Sequence, residues 1–71
     1  MKIITLKLNN DKSTRYDLIR FCEEYKCSTY ITWQTEDILD NQILVDLLVP
    51  KDVVSKVHDK YGSKIKSQET L

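Results

Sequence analysis

Two cysteines and one histidine offer the most reactive side chains in this sequence. Cys22 and Cys27 bound the run Cys-Glu-Glu-Tyr-Lys-Cys, and His58 stands beside Asp59 and Lys60. Thiolates and imidazole nitrogens hold zinc, and a thiol or hydroxyl next to an imidazole serves as an activated nucleophile. The spacing supports neither use. On a helix, five residues turn a side chain through about 500°, so the two thiols are expected to face about 140° apart. A structural zinc site takes about four ligands, and beyond the thiols there are only His58 and carboxylates without ligand spacing, so no metal is expected. His58, read as a solvent-facing or boundary position on a helix, has no nucleophile placed near it by a motif. With one glycine in the chain there is no phosphate-cradling loop. The expectation is therefore no catalytic, cofactor or metal site, with Cys22 in the core and Cys27 a reduced thiol near a helix end. A small enzyme using His58 remains as an alternative.

The elements that position these residues are read from periodicity. From Lys2 to Leu8 the sequence alternates, with Ile4, Leu6 and Leu8 on one side and Ile3, Thr5 and Lys7 on the other, as a half-buried strand requires. Asn9, Asn10 and Asp11 then supply turn chemistry, and Ser13 or Thr14 is expected to cap a helix over Arg15 to Lys26. Leu18, Ile19, Cys22 and Tyr25 form its apolar stripe, opposite Asp17, Arg20, Glu23 and Glu24.

The segment from Tyr30 to Pro50 changes character half-way. Ile31 and Trp33 alternate with Tyr30, Thr32 and Gln34, a strand covered on one face. After Asp40 and Asn41, which tolerate the positive φ of a hairpin turn, both faces become apolar. Ile43, Val45, Leu47 and Val49 lie on one side, and Leu44 and Leu48 flank Asp46 on the other, the pattern of a central strand. Pro50 opens a second helix carrying Val53 or Val54, Val57 and Tyr61, which Gly62 is expected to close in the left-handed conformation. Alternation around Ile65, from Ser63 to Ser67, predicts a short fourth strand, with residues 67–71 as a frayed tail.

The order strand, helix, strand, strand, helix, strand predicts one domain over residues 1–71. Its fold class is α+β, a ferredoxin-like βαββαβ arrangement with a four-stranded antiparallel sheet and two helices on one face; without the fourth strand the order is βαββα. In length and element order the chain resembles ACT domains and heavy-metal-associated domains. The first loop reads Asn9, Asn10, Asp11 and Lys12, where metal-transfer domains carry Cys-x-x-Cys and ACT domains usually place a glycine. The resemblance therefore implies the fold and neither metal transfer nor a small ligand.

Eleven basic residues balance eleven acidic ones, which argues against a basic stripe for duplex DNA. No apolar run reaches the ~20 residues of a membrane span, and Thr5 and Lys7 interrupt the apolar start of the chain, so a cytoplasmic location is expected. The absence of alanine, with frequent lysine and isoleucine, fits an AT-rich coding sequence and thus a low-GC bacterium or its phage. Chains of this size bury only about 60% of their unfolded surface, so a partner or a second copy adds useful stability.

The sheet face without helices is the expected contact: Ile3, Thr5, Tyr30, Leu44, Asp46 and Leu48 are the candidate partner-binding residues. The leading expectation is a non-catalytic protein-binding or regulatory module, with homodimerisation as one form of the contact. Binding of single-stranded nucleic acid is the main alternative. One RNA-binding family stacks bases on aromatics of the two central strands, whereas only Tyr30, on an edge strand, offers that here, helped by Lys60, Lys64 and Lys66.

Overall fold

The computed structural model describes residues 1–37 and 41–70; of residues 29–37 it describes the backbone alone. Strand β1 (Lys2–Asn9) leads to helix α1 (Lys12–Tyr25), then β2 (Ser28–Asp37) and β3 (Gln42–Val49). A 3-10 turn (Lys51–Val53) opens α2 (Val54–Tyr61), and a second (Gly62–Lys64) connects it to β4 (Ile65–Thr70). The strands lie in the order β2-β3-β1-β4, with every neighbouring pair antiparallel. The chain is an α+β domain with two helices, compatible with a ferredoxin-like arrangement.

The two central strands carry most of the core. Leu8 pairs with Ile43, Leu6 with Val45 and Ile4 with Leu47, and all six side chains are buried. These rows meet Leu18, Phe21 and Cys22 of α1 and Val53, Val57 and Tyr61 from the second helical segment in a single cluster, so both helices cover the same sheet face. Phe21 sits at the helix–helix seam, 4.7 Å from the Tyr25 ring centroid and 5.6 Å from that of Tyr61 in an edge-on contact.

Helix α1 departs from its sequence reading at three points. Its stripe is Leu18, Phe21, Cys22 and Tyr25, the spacing i, i+3, i+4, i+7, and Phe21 is 5% exposed. Ile19, one step of about 100° beyond Leu18, is turned outward and 48% exposed. The cap is Asp11 rather than Ser13 or Thr14, so the helix begins at Lys12: the Asp11 carboxylate accepts from the Thr14 N–H at 2.8 Å and from the Ser13 hydroxyl at 2.8 Å. The hydrogen bond from the Thr14 backbone, then that from the Ser13 side chain, holds the Asp11 carboxyl below its ordinary pKa. The helix ends at Tyr25, because Lys26 adopts the left-handed conformation at φ 57° and ψ 38°.

Asn41 has the positive φ expected of the hairpin, 49°; Asp40 lies outside the described residues. The Asn41 carbonyl accepts from the Asn10 N–H at 2.8 Å, which ties the loop after β1 to the start of β3. Residues Ser67–Thr70, expected to fray, pair with Lys2–Thr5 in β4.

Gly62 does not close α2 in the left-handed region. Its φ is −44° and ψ −51°, and the chain passes through it into the 3-10 turn. The position does not require a glycine, and a Cβ added there would meet nothing within 4 Å. Gly62→Ala should therefore raise stability by about 0.4–1 kcal/mol by restricting the unfolded chain. Urea denaturation of the two proteins measures it, whereas a left-handed Gly62 would make the same substitution destabilising.

Candidate functional site

The helix-free face of the sheet is built by the alternate residues of the two central strands. Register sets Ile3 opposite Leu48, Thr5 opposite Asp46 and Lys7 opposite Leu44, and all six side chains are half-buried. The Thr5 hydroxyl donates to Asp46 Oδ1 at 2.6 Å, so a polar pair occupies the middle of the face between the aliphatic pair Ile3–Leu48 and Leu44. On the β4 side Ser67 pairs with Thr5 and Glu69 with Ile3, both exposed. On the β2 side Ser28 pairs with Leu48 and the Tyr30 backbone with Asp46. The Tyr30 side chain lies outside the described residues, as do the directions expected for Ile31 and Trp33.

The structure thus brings Ile3, Thr5, Leu44, Asp46 and Leu48 together, but Asp46 divides the aliphatic residues into two small groups. More exposed apolar surface lies on α1, where Tyr16 is 64% exposed and Ile19 follows one turn later. The Arg20 guanidinium lies 5.9 Å from the Tyr16 ring centroid, and Lys12, Ser13 and Arg15 border the same shallow groove. This surface was missed because Ile19 was read as part of the core stripe; with Phe21 in its place, Tyr16 and Ile19, three residues apart, share the outer face.

The chemically active residues are dispersed. His58 is exposed, with Nε2 2.7 Å from Gln68 Oε1, a bond that ties α2 to β4. Among the described residues no group of three or more His, Cys, Asp or Glu side chains is placed to hold a metal. The thiols behave differently from the helical projection. Because α1 stops at Tyr25 and Lys26 is left-handed, the Cys27 N–H donates to the Cys22 carbonyl at 3.0 Å, and Cys27 packs against the same core as Cys22.

A cleft of about 460 Å³ lies where the end of β1 meets the first turns of α1 and the end of α2. Ser13, Thr14, Asp17, Lys60, Tyr61 and Lys64 line it, and Lys60 Nζ reaches Asp17 Oδ2 at 3.0 Å. Tyr61 is buried, and its hydroxyl has no hydrogen-bond partner among the described residues. No family model, curated protein or solved structure matches this chain.

The buried ionisable groups give the protein an alkaline limit. Burial, then the neighbouring Asp17 and Cys22, pushes the Tyr61 hydroxyl from 10.0 up to about 12. Burial, then Cys27, pushes the Cys22 thiol from 9.0 up to about 11. Both are neutral when protonated, and the unfolded chain releases these protons first. Their contribution to stability is thus complete below about pH 9 and lost as pH rises through about 11 to 12. Tyr61→Phe keeps the ring packing and removes the unpartnered hydroxyl, so at neutral pH it should be neutral or stabilising by about 1 kcal/mol. It should also flatten the alkaline loss above about pH 10. Denaturant midpoints against pH test both; a large loss at neutral pH would mean that the hydroxyl is satisfied in solution.

Proposed function

We propose that this chain is a non-catalytic interaction module, a small cytoplasmic regulator of ferredoxin-like βαββαβ fold that binds a protein partner through the open face of β1 and β3. The observation that carries this reading is the half-burial of Ile3, Leu44 and Leu48 on the sheet face opposite both helices. Apolar groups gathered on a sheet face without helices, here Ile3 with Leu48 and, beyond Asp46, Leu44, are the kind of surface a protein partner covers, and a chain of 71 residues gains stability from a covered face. A phage or mobile-element origin fits the composition and the size.

Adjacent leucines of β3 separate the contact from the core. Leu47 is fully buried under the helices, and Leu48 is half-buried on the open face. Leu47→Lys places a charge in the core and should unfold the domain, since large-to-small changes in such positions alone cost about 2–5 kcal/mol. Leu48→Lys should leave the circular dichroism spectrum intact and abolish association. That association is read as self-association in sedimentation of the pure chain, or as a partner retained by wild type and released by the variant. If Leu48→Lys unfolds the chain as completely as Leu47→Lys, the face is internal and the reading fails. If it leaves association unchanged while Ile19→Lys removes it, the contact belongs to α1.

A further inference from the structure

The way α1 ends decides how near its two thiols come. The Cys22 carbonyl accepts from the N–H of the left-handed Lys26 and, at 3.0 Å, from the Cys27 N–H five positions on, the outer bond characteristic of a helix closed through a left-handed residue. Such closures usually fold the first side chain after the left-handed residue back onto the helix residue whose carbonyl it caps. The bond joins the two residues through one Cα–C–O···N–Cα path, so their α-carbons are no more than about 7 Å apart, and the angles along the path shorten this. A disulfide needs about 4.4–6.8 Å. Both side chains belong to one core: Cys22 is buried, and Cys27 packs against the cluster while remaining partly open to solvent.

We propose that Cys22 and Cys27 form a reversible oxidation site that closes an intramolecular disulfide on reaction with a low-molecular-weight disulfide of the glutathione type. Cys27, the accessible thiol, gives its proton to water, and its thiolate attacks one sulfur of the incoming disulfide. That S–S bond breaks, one small thiolate leaves and takes up a proton, and a mixed disulfide remains on Cys27. Cys22 then loses its proton and attacks Cys27 Sγ, the mixed bond breaks, and the second small thiolate leaves and is protonated. The protein gives up two electrons and two thiol protons, and the small disulfide is reduced to two thiols. Burial holds both thiols protonated near neutral pH, so the reaction accelerates as pH rises. The new bond ties the last turn of α1 to the residue preceding β2.

The test uses the reduced full-length chain with oxidised glutathione, quenched with iodoacetamide and read by intact mass. The expected product is a monomer lighter by two hydrogens that takes up no alkyl group, and that takes up two after reduction. Cys22→Ala should instead stop at a stable glutathione adduct on Cys27. In a glutathione redox buffer the folded chain should favour the disulfide more strongly than the chain in urea, which separates a site made by the fold from one made by sequence proximity. Persistence of the mixed disulfide in wild type, a disulfide-linked dimer, two unreacted thiols, or an equal equilibrium in urea would each overturn the proposal.

Discussion

Everything else in this domain depends on the pairing of β1 with β3. Side chains alternate along a strand with a period of two, so a slip of one residue would carry Ile4, Leu6 and Leu8 out of the core and bring Lys7 in. The register that opposes Ile4 to Leu47 and Leu6 to Val45 therefore also fixes which residues meet on the far side. Ile3, Thr5 and Lys7 face solvent opposite Leu48, Asp46 and Leu44 because their neighbours in sequence are needed under the helices. The core and the candidate interface are two consequences of one alignment.

The helical layer is held to that sheet by fewer and larger contacts. Phe21 touches Tyr25 within its own helix and Tyr61 across the seam, and Lys60 reaches over both the Phe21 and Tyr61 rings, 5.7 Å from each centroid, while pairing with Asp17. The exposed ammonium adds little as an ion pair alone, and its place beside both rings adds a weak cation–π contact to the seam. The Tyr61 ring packs edge-on against Phe21 at the seam, and among the described residues its hydroxyl has no hydrogen-bond partner, so packing of the ring is what the structure shows at this position.

The two central strands were legible in the sequence because their period is short and isoleucine, leucine or valine occupies the inward positions from Ile4 to Leu8 and from Ile43 to Val49, whereas the polar β4 was read as ending at Ser67. The helix ends were less so. Ile19 outranks Phe21 in aliphatic character, yet the stripe turns on angle, and a phase error of one residue exchanges them. The left-handed turn at Lys26 was invisible for a different reason. Glycine and asparagine advertise that conformation and lysine does not, so the helix read as ending one residue later and its two cysteines as divergent. Gly62 misled in the opposite sense, since it follows the last apolar position of α2 as a left-handed cap would, yet stays right-handed as the chain winds into a 3-10 turn. On the open face, alternation identified the members, but the bond between Thr5 and Asp46 required knowledge of which β1 residue stands opposite which β3 residue.

That bond constrains what could cover the face. A carboxylate has about four acceptor sites, and the Thr5 hydroxyl is the donor seen on Asp46 Oδ1. An apolar surface laid over Ile3, Leu44 and Leu48 would strip water from Asp46 and leave most of that capacity unmet, a cost of several kcal/mol for a buried charge. A partner that excludes water must bring donors of its own to the centre, such as a guanidinium, hydroxyls or the free N–H groups of an exposed strand, with apolar groups on either side. A partner lacking them would be disfavoured at the middle of the proposed contact even where its edges fit. In the proposed contact the aliphatic residues would supply the attraction, and Asp46, by penalising any surface that cannot satisfy it, would supply the discrimination.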